Sequence, residues 1–155
     1  MAEEQQVQAV FTIEKIYVKD LSLEVPNAPA VFLERETPRV DVQLSTEAKA
    51  IDEGHYEVVL SVTTTATLKE KTVFLVEAKQ AGIFQVRNLP RESLDLVLAI
   101  TCPNILFPYA RETVSDSITR SGFPAFLLAP VNFEALYQQR MQQQQQPAEA
   151  APTTH

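Results

Sequence analysis

The feature that most restricts how this chain can fold is the alternation of apolar and polar residues through most of its first half. A period of two is typical of β-strands, because successive side chains of a strand point to opposite faces of a sheet. Four segments follow this pattern, and the sequence predicts strands at residues 11–25, 39–46, 56–68 and 72–80.

Prolines and turn-forming residues separate these strands. Three prolines predict an ordered crossover loop over residues 26–38, because proline cannot join a central sheet ladder. Residues 52–54 predict a turn, and residues 69–71 predict a short polar connection. Gly82 is expected to let the chain leave the sheet after the fourth strand.

The strand pattern assigns each side chain to one of two faces. The inner face is predicted to carry Phe11, Ile13, Tyr17, Leu21, Leu23, Val40, Val42, Leu44, Tyr56, Val58, Leu60, Val62, Phe74, Val76 and Ala78. The outer face is predicted to carry Glu14, Asp20, Glu24, Asp41, Glu57 and Glu77, together with Ile16, Val18, Val59 and Leu75. This distribution predicts an antiparallel sheet with one covered face and one acidic, solvated face.

The second half of the chain has a helical pattern. A helix is predicted from Pro90, and residues 94–100 are apolar nearly all round, which indicates burial on more than one side. Pro103 disfavours helical geometry at Cys102, so a break is predicted there.

Helix is expected to resume over residues 104–121, kinked or restarted near Pro108, with Gly122 as a candidate C-cap. Asn132 is a plausible N-cap for a last helix. That helix has a narrow apolar stripe made of Phe133, Leu136, Tyr137 and Met141. Four strands followed by helices predict an α+β fold, a four-stranded antiparallel sheet with helices packed on one face.

The length and composition predict a single domain. The chain has 155 residues, and we expect one domain over residues 10–141. Residues 1–9 are predicted to be a flexible N-terminus. Residues 142–155 form a glutamine-rich stretch with no apolar side chain larger than alanine, which predicts a disordered tail.

The charge balance restricts the possible partners. Thirteen basic and 20 acidic residues give a net charge of −7, which argues against nucleic acid and against an anionic membrane surface. The N-terminus lacks the basic start of a signal peptide, and no run of about 18 apolar residues is present, so we expect no direct membrane insertion. Cys102 is the only cysteine, so no intrachain disulfide can form and a cytoplasmic location is expected.

No pattern typical of catalysis is found. The two histidines, His55 and His155, are far apart in the sequence, and three glycines provide no phosphate-binding loop. We therefore expect no catalytic residues, no metal and no cofactor, although an active site of buried carboxylates stays open at this point. The excess of apolar residues indicates either a subunit interface, a binding surface or one well-filled monomer core.

Four long strings resemble the SecB family of bacterial protein-export chaperones. They are IYVKDLSLEVPNAPAVF from Ile16, FLVEAKQAGIF around Leu75, CPNILFPYARE from Cys102 and FPAFLLAPVNFEALY from Phe123. The resemblance covers about residues 11–137. One departure is Val76, where some family members carry a cysteine.

The resemblance implies a homotetramer built as a dimer of dimers, in which first strands pair across each dimer and helices lie between two eight-stranded sheets. It also implies an ATP-independent chaperone that holds unfolded precursor proteins and passes them to the translocation motor SecA. A general holdase or interaction scaffold of the same fold, not tied to SecA, is the alternative.

Family positions carry over residue by residue. The docking patch for the basic, zinc-bearing tail of SecA would correspond to Asp20, Glu24, Leu75 and Glu77. The groove for unfolded clients would be lined by Val31, Phe32, Val40, Val42, Leu44, Phe133, Leu136 and Tyr137. The pattern of alternation independently assigns all four SecA-patch residues to the outer face.

Overall fold

A computed structural model describes residues 7–145 as four strands followed by helices. The strands are β1 (Val10–Glu24), β2 (Arg39–Asp52), β3 (His55–Leu68) and β4 (Lys71–Arg87), and a short 3₁₀ turn, Ala30–Leu33, lies in the crossover loop. The helices are α1 (Arg91–Leu96), a π-helical segment (Val97–Thr101), α2 (Cys102–Arg120) and α3 (Phe133–Gln145). The predicted α+β fold is confirmed.

The strands form one antiparallel sheet in the order β1-β4-β3-β2. Tight turns join β2 to β3 and β3 to β4, whereas the crossover loop carries the chain from one edge of the sheet to the other. Strand β2 extends well beyond the predicted end at residue 46. Both β1 and β2 are therefore long edge strands.

The core lies between the inner face of the sheet and α2. The even-numbered residues of β3 and β4 contribute Val58, Leu60, Val62, Phe74, Val76 and Ala78 to it. Helix α2 covers them with Leu106, Val114 and Ile118, which are completely buried. Burying each such side chain stabilises the fold by about 1.5–3 kcal/mol.

Gly82 does not end the fourth strand, so that prediction is wrong. It pairs with Ile16 on β1 and Val58 on β3, and β4 continues to Arg87. A Cβ atom at Gly82 would lie 2.8 Å from the ring of Phe84 and 3.2 Å from Leu106. The glycine thus makes room for close packing between the sheet and α2.

Strand β1 departs from simple alternation at two β-bulges. The register shifts between Ile13 and Lys15, and shifts again between Val18 and Asp20. Between the shifts the two faces are exchanged relative to the prediction, because one extra residue moves every following side chain to the opposite face.

The exchange between the bulges corrects three predicted positions. Ile16 and Val18 pair with Gly82 and Gln80 and face inward, although the sequence predicted them on the outer face. Tyr17, predicted inside, lies on the outer face and contacts Glu57 there.

The predicted helix break at Cys102 is also wrong. Cys102 has helical angles (φ −65°, ψ −47°), and helix continues from Arg91 to Arg120 through Pro103 and Pro108. The π segment ends at Thr101, two residues before Pro103, which has no N–H to donate. A change from α to π hydrogen bonding at this point lets the helix continue across the proline.

Both predicted helix caps are present. Gly122 has φ +95°, and the N–H groups of Gly122 and Phe123 donate to the carbonyls of Thr119 and Ile118, which is a Schellman motif. The Oδ1 atom of Asn132 accepts a hydrogen bond from the N–H of Ala135 at 3.0 Å and so caps α3.

Part of the predicted disordered tail is helical. Helix α3 continues through Gln145, so residues 142–145 are helical. Residues 7–9 are exposed and have no regular structure, and residues 1–6 and 146–155 lie outside the described residues.

The helical region is long and apolar enough to span a membrane by length and composition. The sequence analysis predicted no such segment. Arg91–Arg120 has 30 residues and a mean hydropathy of 1.4 over its most apolar window. Core helices of water-soluble domains meet the same test, and α2 packs on the sheet through Leu106 and Val114. Only 28% of the window is buried within the chain, so much of this apolar helix surface is left uncovered.

Candidate functional site

The outer face of the sheet brings together the four residues predicted as the SecA patch. Glu24 pairs directly with Leu75, and Glu77 pairs with Ser22, which lies between Asp20 and Glu24 on β1. Directly opposed residues on neighbouring strands have Cβ atoms about 4.5–5.5 Å apart. The three carboxylates and the leucine therefore form one compact acidic patch.

The carboxylates of the acidic patch are available to a partner. Within residues 7–145, Asp20, Glu24 and Glu77 form no ion pair, and all three are exposed. Lys79 pairs with Asp20 in the register but lies beyond ion-pair distance. The patch therefore offers three negative charges beside a half-buried apolar side chain, Leu75.

A hydrogen-bonded cluster adjoins the acidic patch. The hydroxyl of Tyr17 donates to Glu57, and Nζ of Lys19 lies 2.7 Å from Oε1 of the same carboxylate. Both hydrogen bonds lower the pKa of Glu57, and the bond from Lys19 has the larger effect. Burial first, and then the bond to Glu57, raise the pKa of Tyr17 to about 12. The cluster consequently holds Glu57 ionised in an ion pair with Lys19, beside a neutral phenol.

An open groove of about 690 Å³ lies on the other side of the sheet, between β2, the π segment and α3, and is lined by apolar and polar side chains in similar numbers. Four of the predicted client residues line it, namely Leu44, Phe133, Leu136 and Tyr137. Leu98 of the π segment lines the same groove, and Asp95 and Arg140 are charged groups at its wall.

Phe133 fixes helix α3 beside this groove. It is 4% exposed, and its ring meets Phe107 of α2 edge-on with centroids 6.0 Å apart. The next apolar positions of α3, such as Leu136 at 46% exposure, stay open to solvent. An anchored helix with an uncovered apolar stripe is suited to contact a further polypeptide.

The other predicted client residues lie elsewhere. Val31 lines a separate cleft of about 120 Å³ beneath the crossover loop. Phe32 stacks on Phe123, with ring centroids 5.0 Å apart. Val40 and Val42 lie on the inner face of β2, and neither lines the groove or this cleft. The eight residues thus do not converge on one cavity.

A second cleft of about 490 Å³ lies next to the groove and was not predicted from the sequence. It is lined by Ala48, Lys49, Ala50, Tyr56, Leu89, Arg91, Leu94, Asp95 and Leu98. Ala48, Asp95 and Leu98 also line the groove, so the two spaces are neighbours. The available signal was the small residues Ala48 and Ala50 at alternating positions of β2, which leave space beneath α1.

No arrangement of reactive groups accompanies these surfaces. Residues 7–145 contain no cluster of three histidine, cysteine or acidic side chains that could hold a metal ion. Burial raises the pKa of the Cys102 thiol to about 12, so this thiol stays protonated near neutral pH. His55 is hydrogen-bonded to Asp52 at 2.6 Å in an exposed turn. The surfaces can bind other molecules through charge and apolar contact.

A four-stranded antiparallel sheet with an acidic outer face, combined with an open groove beside a proline-containing helix, defines an α+β protein whose two faces carry different kinds of surface. A similar fold occurs in a SecB-like chaperone of Mycobacterium tuberculosis, solved in complex with an antitoxin peptide. The TM-score is 0.66 at 20% identity, covering 78% of this chain and 90% of that one.

Sequence comparison defines the family. Residues 4–144 match the family model described as preprotein translocase subunit SecB. Protein-export protein SecB of Chromobacterium violaceum is 62% identical over 97% of this chain and 98% of its own length. The Methylobacillus flagellatus protein of the same name is 58% identical over the full length of both chains. The chain belongs to the SecB family of protein-export chaperones.

Proposed function

We propose that this chain holds unfolded precursor proteins in the cytoplasm without ATP and delivers them to the motor SecA. The observation that carries this proposal is that an exposed acidic patch and an open groove lie on opposite faces of one sheet. The groove would bind the client, and the acidic patch would bind the motor. A client and SecA could then be bound at the same time.

The groove supports holding because it distinguishes unfolded from folded proteins by exposed apolar surface. A folded client has buried its apolar segments, whereas an unfolded client presents them to Leu98, Leu136 and Tyr137. Binding the unfolded form lowers its free concentration and so slows aggregation and folding. Apolar contact requires no particular client sequence, which suits a chaperone for many precursors.

The acidic patch supports docking of the basic, zinc-bearing tail of SecA. Asp20, Glu24 and Glu77 are exposed and unpaired within the described residues, so a cationic segment can approach without displacing an internal partner. Leu75 adds an apolar contact at the centre of the patch. Complementary charge accelerates and orients such encounters.

Exposed apolar surface supports assembly into a homotetramer. Ile13, Val18 and Leu21 of β1 face inward yet are about half exposed, at 45%, 47% and 45%, because α2 covers β4 and β3 instead. Pairing of β1 with a second β1, and packing of the open helix surface between two dimers, would cover both areas. Several grooves on one particle would then bind separate segments of one client at high effective concentration.

Two assays on the full chain test the proposal. An unfolded precursor is diluted from denaturant with and without the protein, in the absence of ATP, and its refolding and aggregation are followed. SecA capture is measured in parallel with immobilised protein. Delayed refolding together with SecA binding supports the export role. Delayed refolding without SecA binding favours the general holdase, and no delay contradicts both.

A further inference from the structure

The segment of β1 that leads into Asp20 is fixed from both faces of the sheet. On the outer face, Tyr17 and Lys19 both bond to Glu57. On the inner face, the Nε2 group of Gln80 donates to the carbonyl of Tyr17 at 3.1 Å. The three bonds hold the same three-residue stretch, which contains the second β-bulge.

This bulge determines which face the docking acids occupy. Val18 pairs with Gln80 and Asp20 pairs with Lys79, so Lys19 is the additional residue. If Lys19 instead took part in regular alternation, Asp20 and Glu24 would fall on the inner face with Val18, because side chains alternate with a period of two. The position of the acidic patch therefore depends on how firmly the bulge is held.

Gln80 also connects the bulge to helix α2. It is only 3% exposed, and its Oε1 atom lies 3.1 Å from the hydroxyl oxygen of Thr113. The same hydroxyl lies 3.0 Å from the carbonyl of Tyr109 in its own helix. One proton thus serves two acceptors, and the bond to Gln80 persists only while α2 stays close to β4.

We propose that Thr113, Gln80 and Glu57 are positioning residues for the acidic patch, which they support through the hydrogen-bonded series Thr113–Gln80–Tyr17–Glu57. The affinity of the outer face for a cationic partner then depends on the seating of α2 on the inner face. Loss of the Thr113 bond leaves a buried amide oxygen without its donor and loosens the bulge. The inference rests on the proposed docking of SecA at this patch.

The test compares two threonines of α2 that differ in one contact. Thr113 and Thr119 both donate to the carbonyl four residues earlier, but only Thr113 reaches the sheet. Binding of a zinc-loaded peptide of the SecA C-terminal tail is measured by calorimetry at low salt. Thr113→Val should weaken binding about fivefold, the effect of one hydrogen bond of ordinary net strength. Thr119→Val and Thr113→Ser should match the parent.

A second readout separates positioning from general destabilisation. In Thr113→Val the phenol of Tyr17 should titrate at lower pH than in the parent, as followed by its ultraviolet absorbance, with assembly mass unchanged. If Thr113→Val does not fold, Tyr17→Phe carries the test and should show the same fivefold loss. Parent-like peptide affinity in the folded variant overturns the inference. Failure of the parent itself to bind the peptide overturns SecA docking instead.

Discussion

The ring of Phe84 covers Gly82 so closely that a methyl group on Gly82 would lie 2.8 Å from it. The same methyl group would lie 3.2 Å from the side chain of Leu106, which packs over this space from α2. The contact sets how near the helix can approach the sheet at the centre of the core. Since the ring is rigid and completely buried, it has little freedom to move aside.

Gly82→Ala is therefore expected to destabilise the fold by about 1–3 kcal/mol, the usual effect of overpacking a filled core. Chemical denaturation of the variant and the parent would measure the difference. Ser45→Ala, on the exposed outer face of β2, is the control and should leave the unfolding free energy nearly unchanged. Equal stability of Gly82→Ala and the parent would contradict the close packing described for this site.

Assembly should depend on the inward apolar residues of β1. Leu21→Lys places a charge in the proposed contact between first strands, and we expect the dissociation concentration to rise at least about tenfold. Sedimentation equilibrium against the 17.3 kDa chain mass measures it. Ser22→Lys, the neighbouring residue on the outer face, should keep the parent mass. A parent that is monomeric at all working concentrations would refute the tetramer.

Client capture should depend on the apolar side of α3. Leu136→Asp introduces a charge into the groove wall and should weaken binding of an unfolded protein by about tenfold or more. Gln138→Asp adds the same charge to the same helix at a position that does not line the groove, and should retain capture. Circular dichroism checks that both variants keep their helices. Equal loss in the two variants would indicate a general charge effect.

SecA binding should respond to charge at the acidic patch and not to net charge alone. The double reversal Glu24→Lys with Glu77→Lys should weaken SecA tail binding strongly at low salt. Added salt should reduce the affinity of the parent, because exposed charges are screened over about 8–10 Å. The control is the double reversal Glu47→Lys with Glu53→Lys, which changes the net charge by the same amount at two residues outside the patch. If both double variants lose the same affinity, docking is not localised to the patch.

The Tyr17–Glu57 cluster should contribute to pH-dependent stability in two windows. The pKa of Glu57 is lowered in the folded state, so its contribution is present above the ordinary value of 4.5 and is lost as pH falls. The pKa of Tyr17 is raised to about 12, so its contribution is present below pH 10 and is lost as pH rises towards 12.

Thermal unfolding across pH tests both windows by comparison with Glu57→Gln and Tyr17→Phe. The parent should lose more stability than Glu57→Gln below about pH 4.5, and more than Tyr17→Phe above about pH 10. Parallel pH profiles for the parent and both variants would show that the cluster contributes nothing through ionisation.

Much of the sheet could be predicted from the sequence because β2, β3 and β4 alternate regularly through their central parts, and their register shifts lie near the strand ends. Their inner faces, the caps Gly122 and Asn132, and the outward position of Glu77 all follow from local patterns and agree with the structure. Local rules succeed there since each depends only on nearby residues.

The bulges of β1 could not be predicted in this way, because a bulge is defined by the partner strand. Lys15 and Lys19 looked like charged interruptions of an inner face, whereas the register places Lys15 beside Ile83 on the outer face. The continuous helix through Pro103 likewise depends on a change to π bonding upstream. The second cleft depends on the distance between β2 and α1, which no local pattern contains.

The two bulges of β1 also govern which changes of length this strand can tolerate. Deleting Lys19 alone would remove the second bulge and leave Ser22 and Glu24 on the outer face, since Val18 and Asp20 already pair with consecutive residues of β4. Deleting Glu14 as well would leave a strand that alternates regularly along its whole length, with every remaining side chain on its present face. A single deletion elsewhere in β1 would instead exchange the faces of the residues on one side of it, so the bulges are the two places where this strand can lose one residue.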